Sequence, residues 1–296
     1  MNVSPNFTFL SMRFWNAPAE DLLRELDSKG GMLGVPSAPS LAQAAVDGEL
    51  LRSHREAAWN VMDGGYVAML LRMVGRNCRR ISGLQIVQKL TLPTGKGAVP
   101  MQERRILWVV PNGQEAERIA NYVASRGFPW GSQFFYEAPY YRTDGEYRDE
   151  GAFAKVREVK PDWIVVCIGG GRQEKLGYWL QKEFCGSPAG GTSVAIFPGP
   201  EKEENGEAAT NDQLSSDNTY NQSPAIICTG AAIAFLSGGQ ANIPPWADRL
   251  YLGWLLRILN NPRSFIPRYF NAAWQFPVAL WRFRGEWFAK PEKSGG

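Results

Sequence analysis

Asp162-Trp163-Ile164-Val165-Val166-Cys167-Ile168-Gly169-Gly170-Gly171-Arg172-Gln173-Glu174-Lys175 is the stretch that decides the fold. Its first half is apolar without alternation, as in a strand covered on both faces. Three glycines break that strand, and a helical pattern runs on through Lys182. The arrangement has a precedent upstream, where the apolar strand Arg105–Val110 is followed by a helix over Gln114–Arg126. Two more apolar runs follow, Ser193–Phe197 and Ala225–Cys228. Apolar strands alternating with helices predict an α/β fold, a Rossmann-like parallel sheet with helices on both faces.

The remaining segments fit around this sheet. Phe7–Phe14 reads as a short strand. Pro18–Ser28 reads as a helix opened by proline and closed by Gly30-Gly31. A brief strand, Met32–Val35, leads to the loop Pro36-Ser37-Ala38-Pro39. Leu41–Trp59 reads as largely helical, and Asp63-Gly64-Gly65 breaks the chain before an apolar helix at Tyr66–Val74. Residues 199–223 are rich in Glu, Asn, Ser and Asp and nearly free of large apolar side chains. They read as a surface loop inserted into a first domain of residues 1–245.

Residues 246–296 read as a separate helical appendage. From Arg249 to Gly296 there are eight Lys/Arg and two Glu, a net of 8 − 2 = +6, whereas the whole chain carries +3. Trp254, Phe265, Tyr269, Phe270, Trp274 and Trp281 stand among those cations. Interleaved basic and aromatic residues suit the boundary between water and lipid headgroups. They also suit phosphate, which guanidinium forks bind bidentately. A nucleic-acid binder is set aside, because the charge is local and no such motif is present.

Bulk composition narrows the options. No apolar run reaches the ~18–20 residues that span a bilayer. The first ten residues lack the basic start and long apolar core of a signal peptide. The expected location is therefore the cytoplasm, peripheral on the inner face of the cell membrane. The four cysteines follow no metal or disulfide spacing, and Cys167 and Cys228 read as core residues. The single histidine, His54, reads as an exposed helix residue; one histidine supports neither a multi-His metal site nor most Ser-His-Asp triads. No metal and no cofactor are expected.

In an open parallel sheet, ligands bind beyond the carboxyl ends of the strands. Three polar clusters fall there: Pro36–Ser40, Asp63-Gly64 and Gly169–Glu174. Glycines before a helix let backbone N–H groups approach a phosphate. A tight structural turn explains them equally well. Gly169, Gly171 and Glu174 do not make a dinucleotide fingerprint, and no Gly-Lys-Ser/Thr follows. Asp63 before glycine at a helix start reads as a cap, a catalytic carboxylate, or both.

Taken in order, these segments resemble the WecG/TagA/CpsF glycosyltransferase family, from about Leu33 to Tyr269. The family's helix followed by Asp-Gly looks like Asp47-Gly48-Glu49-Leu50 leading to Asp63-Gly64-Gly65. Its Arg-Val-Thr-Gly element looks like Arg80-Ile81-Ser82-Gly83. Its Gly-x-Pro-Lys-Gln-Glu motif looks like Gly169-Gly170-Gly171-Arg172-Gln173-Glu174. Its closing segment looks like Thr229–Gly238, Pro244-Pro245-Trp246, Leu252–Arg257 and Asn261-Pro262-Arg263. The chain departs from the pattern at Ser37-Ala38-Pro39, where an Asn is missing, and at Gln85, Gly171, Ala234 and Gly253.

The resemblance implies a membrane-associated, inverting transferase of bacterial surface polysaccharide synthesis. It would move an N-acetylmannosamine-type or glucose-type sugar from a UDP-sugar to a polyprenyl-diphosphate-linked sugar, without a metal. Asp63 would be the base. Ser37, Arg80, Gly169, Gly171, Gln173 and Glu174 would contact substrate, and Arg257 and Arg263 would close over the diphosphate. The bland alternatives stay open. Ser37 also reads as a turn hydroxyl, Arg80 as part of a solvated basic face, Gln173 and Glu174 as a solvated first helical turn, and Arg257 and Arg263 as surface ion pairs. Arg268, Arg282 and Arg284 read as headgroup contacts. A non-catalytic sugar- or nucleotide-binding partner in an assembly complex is the competing function, and a homo-oligomer is compatible with either.

Overall fold

The computed structural model describes residues 6–93, 96–97, 99–142, 147–185, 223–239, 253–260, 262–282 and 284–287. The sheet is centred on strands in which every residue is buried: β3 (Gly31–Gly34), β5 (Ile106–Val110), β7 (Trp163–Val166) and β8 (Ala225–Cys228). Alternate side chains point to opposite faces. Ile106, Trp108, Trp163, Val165 and Ile227 therefore enter one core, and Leu107, Val109, Ile164, Val166 and Ile226 another. With β1 (Asn6–Phe9), β2 (Met12–Trp15), β4 (Trp59–Asn60) and β6 (Gln133–Glu137), the order is β1-β2-β4-β3-β8-β7-β5-β6. Only β1 runs antiparallel. The expected α/β sheet with both faces covered is the fold.

The helices divide between the faces. On one lie α1 (Ala19–Lys29), α5 (Gly83–Leu90) and α6 (Gly113–Ser125), which bury Leu22, Ile86 and Ile119. On the other lie α2 (Ala38–Ala44), α3 (Gly48–Arg55), α4 (Gly65–Met73), α7 (Glu150–Val159) and α8 (Arg172–Cys185), which bury Leu41, Leu50, Val67, Val156 and Leu176. Short polar side chains start five of them. Ser37, Asp47, Ser82, Asn112 and Asp149 each accept a hydrogen bond from the backbone N–H three residues on, at 3.4, 3.0, 3.1, 2.9 and 3.0 Å.

Several sequence expectations change. Phe7–Phe14 is a hairpin rather than one strand. Phe9 pairs with Met12 across Leu10 and Ser11, whose φ of 54° and 58° suit a two-residue turn. Leu41–Trp59 is two helices and a strand. The chain breaks at Ala45–Asp47, where Asp47 caps α3, and Trp59 lies in β4. Ala38 and Pro39 open α2 rather than sit in a loop. Strand β6 was not anticipated. Ser193–Phe197 and residues 199–222 lie outside the described residues.

After α9 (Ala234–Ser237), the C-terminal part contributes α10 (Gly253–Asn260), α11 (Pro262–Arg282) and α12 (Arg284–Trp287). Helix α11 packs against α2. Arg282 donates from Nη1 to the Ala45 carbonyl at 2.6 Å, and the Tyr66 and Phe276 rings meet at 6.1 Å. Arg282, read from sequence as a headgroup contact, is thus tied to the C-terminal end of α2. Among the described residues, no helix is long and apolar enough to cross a membrane.

Candidate active site

The parallel strands β4, β3, β8, β7 and β5 end at one edge of the sheet. Asp63 stands just past β4, where Met62 extends the sheet by bridging to Arg80. Its carbonyl accepts from Arg80 Nε at 3.0 Å, and its carboxylate Oδ1 accepts from the Gly83 N–H at 3.2 Å. That N–H belongs to the first turn of α5, an end that favours a negative group. Asp63 is half-buried. Asp63 caps no helix of its own; Gly64 stands at the start of α4 with no side-chain cap.

The same edge leads from Asp63 to the glycine run. A Cβ on Gly83 would lie 3.3 Å from Val35, at the end of β3, and 3.5 Å from the Thr229 carbonyl, at the end of β8. Gly230 follows with φ +61°, and a Cβ there would meet the Gln173 amide at 3.4 Å. Asp63, Gly83, Thr229, Gly230 and Gln173 therefore form one continuous run across the ends of β4, β3, β8 and β7. Gly169 (φ +102°) and Gly171 (φ +86°) occupy the left-handed region, where glycine is least strained.

Gln173 and Glu174 are not a solvated first turn; they are 3 % and 1 % exposed. Glu174 reaches back to accept from the Gly171 N–H at 2.6 Å, the reciprocal half of a capping box. Its other oxygen accepts from Gln173 Nε2 at 3.0 Å, and that nitrogen also donates to the Cys228 carbonyl at 3.1 Å. Gln173 Oε1 is buried with no hydrogen-bond partner among the described residues. A buried amide oxygen left unpaired is costly unless a donor reaches it.

Behind this edge lies charge that the sequence did not reveal. Lys175, 4 % exposed, sits 3.1 Å from both Asp47 and Glu49 and joins α8 to α3. His54 is fully buried rather than exposed; its Nδ1 lies 2.8 Å from Asn60 Oδ1. Burial pushes His54 below its usual value, against the field of Glu174. Cys167 and Cys228 are core residues as expected. Burial pushes the Cys167 thiol up to about 12 and that of Cys228 well above its usual value.

The strand-to-helix loops diverge between β5 and β7, because α6 leaves toward one face and α8 toward the other. Such a switch point opens a crevice. A pocket of about 200 Å³ is found there, lined by Asn112, Glu115, Cys167, Gly230, Ile233 and Ala234 among others.

The other expected site residues are placed as follows. Ser37 caps α2, with its Oγ 3.4 Å from the Ser40 N–H. Arg80 lies against Asp63. Arg263 is exposed in the first turn of α11, and no hydrogen bond or ion pair among the described residues joins it to Asp63 or Gln173. Arg257 lies in α10, and its side chain is outside the described residues. Sequence reasoning missed the part played by the Gly83 N–H; the signal was Ser82-Gly83, a cap pair opening a helix.

A model of the glycosyl transferase WecG/TagA/CpsF family matches residues 7–194 and 210–290. The chain belongs to this family. No individual curated protein matches it. As a member, it is a glycosyltransferase, a transferase that takes a sugar donor and an acceptor.

Proposed function

We propose that this family member transfers a hexose or N-acetylhexosamine, of the glucose or N-acetylmannosamine type, from a UDP-sugar to a polyprenyl-diphosphate-linked sugar, with inversion. The observation that carries the reading is the Asp63 carboxylate, held by the Gly83 N–H at the carboxyl edge and continuous with the Gln173 amide. In this mechanism the acceptor hydroxyl attacks the anomeric carbon and the bond to the UDP oxygen breaks. Asp63 takes the hydroxyl proton, help worth roughly 10²–10⁴ in rate. Negative charge grows on the departing diphosphate. Arg80 lies beside Asp63, and Arg257 and Arg263 of the appendage supply further cations to steady that charge. Ser37, Gly169 and Gly171 line the donor side. Gln173 offers its unpaired Oε1 to a sugar hydroxyl, and Glu174 holds the glycine turn in shape.

In this reading residues 1–245 form the catalytic domain. Residues 246–296 cover the substrate and hold the enzyme on the inner membrane face. No step calls for a metal. The test is a UDP-release screen of several UDP-sugars with a polyprenyl-diphosphate-sugar acceptor. Acceptor-dependent release from at least one donor supports the assignment. UDP binding without release across the whole panel contradicts it.

A further inference from the structure

Helix α4 begins two residues after Asp63 and is apolar on two faces. Val67, Ala68 and Leu71 are buried in the core. Tyr66, Met69 and Met73, on another face, are 56 %, 45 % and 75 % exposed, and Val74 just beyond is 53 % exposed. At about 100° per residue, Tyr66, Met69 and Met73 fall within about 60° of each other. Arg72 is the only charged residue in the helix. A surface helix normally turns a polar face outward, and an exposed apolar patch marks a contact surface.

Charge identifies the partner. From Gly64 to Ser82, the stretch that carries α4 and the turn after it, the chain holds four cations (Arg72, Arg76, Arg79 and Arg80) and no Asp or Glu. Arg72 and Arg79 are exposed beside the apolar face. The patch also touches α11, where Tyr66 meets Phe276 on the side of that helix that packs against the core. On α11, Ile266, Phe270, Val278 and Trp281 are exposed at 52 %, 62 %, 50 % and 68 %, with Arg263 exposed in its first turn. Exposed apolar side chains flanked by cations fit an anionic lipid surface.

We infer that α4 is a second lipid-contacting element, which sets the mouth beside Asp63 directly against an anionic bilayer. This deepens the proposed membrane role of the appendage and rests on it. The geometry means that a lipid-linked acceptor would reach Asp63 without leaving the headgroup layer.

The test is flotation of the full chain with vesicles of phosphatidylcholine, with and without phosphatidylglycerol. Met69→Glu/Met73→Glu and Phe270→Glu/Trp281→Glu are compared with wild type, after melting curves show that each pair folds. Each pair should lower partitioning onto the phosphatidylglycerol vesicles at least about tenfold, through lost apolar burial and added repulsion. If the α4 pair binds within about twofold of wild type while the α11 pair is lost, the inference about α4 falls and the appendage reading stands. If wild type does not float, both fall. If the α4 pair instead breaks a wild-type oligomer and leaves flotation unchanged, the face is a contact between copies and the inference is overturned.

Discussion

His54 is the only histidine, and its burial makes stability depend on pH in a calculable way. Asn60 Nδ2 donates to the carbonyls of His54 and Arg13 at 2.8 and 3.2 Å, which turns Oδ1 toward His54 Nδ1. That oxygen can only accept, so Nδ1 carries the proton and Nε2 the lone pair. Nε2 is buried without a hydrogen-bond partner among the described residues. A second proton there would place an imidazolium in the core, and burial therefore holds the group below its ordinary 6.5 despite the field of Glu174. The unfolded chain protonates near 6.5 while the folded chain does not. The folded state thus binds fewer protons below that pH, and stability is lost as pH falls through it. At pH 5.5 the loss from this one group is at most about 1.4 kcal/mol, the limit for an imidazole that stays neutral in the folded state. Urea titrations followed by tryptophan fluorescence at pH 7.5 and 5.5 measure it, with His54→Gln as reference. Carboxylates contribute to both proteins, so the difference isolates the histidine. Wild type should lose more than the variant, by up to about 1.4 kcal/mol. Equal losses would refute the buried neutral imidazole.

Two further substitutions probe the packing behind the site. Lys175→Met leaves Asp47 and Glu49 facing each other without their shared cation; because those carboxylates are 20 % and 25 % exposed, the cost should be about 2–3 kcal/mol in urea unfolding rather than the larger penalty of a fully buried pair. Gly177→Ala puts a Cβ 2.5 Å from Cys228 Sγ, against the sheet, and should cost about 1–3 kcal/mol although alanine is the better helix former. Adding Cys228→Ala should recover most of that loss in thermal unfolding.

The central strands were legible because burial on both faces leaves no alternative to a continuous apolar run, as in Ile106–Val110 and Trp163–Val166. Strand β6 was not, because Gln133-Phe134-Phe135-Tyr136-Glu137 lies at the sheet edge, is half-exposed along most of its length, and is polar at both ends. The hairpin was hidden by Leu10-Ser11, which adopts positive φ without glycine or asparagine. His54 could have been read as buried, since it stands four residues after Leu50 on the face that α3 turns inward. Asp63, Arg80 and the glycine run were found as separate loops. That they share one edge depends on strand order, because β8 is inserted between β3 and β7, and no local pattern encodes that order. The burial of Gln173, Glu174 and Lys175 is likewise set by partners more than fifty residues away, Cys228 for Gln173 and Asp47 with Glu49 for Lys175.

The proton-transfer role of Asp63 is tested most directly by Asp63→Asn, which preserves the side chain's shape and an oxygen for the Gly83 N–H. Acceptor-dependent UDP release and UDP affinity are measured side by side on folded protein. The account predicts at least about a 100-fold loss of kcat with UDP binding unchanged. Turnover close to wild type would contradict it.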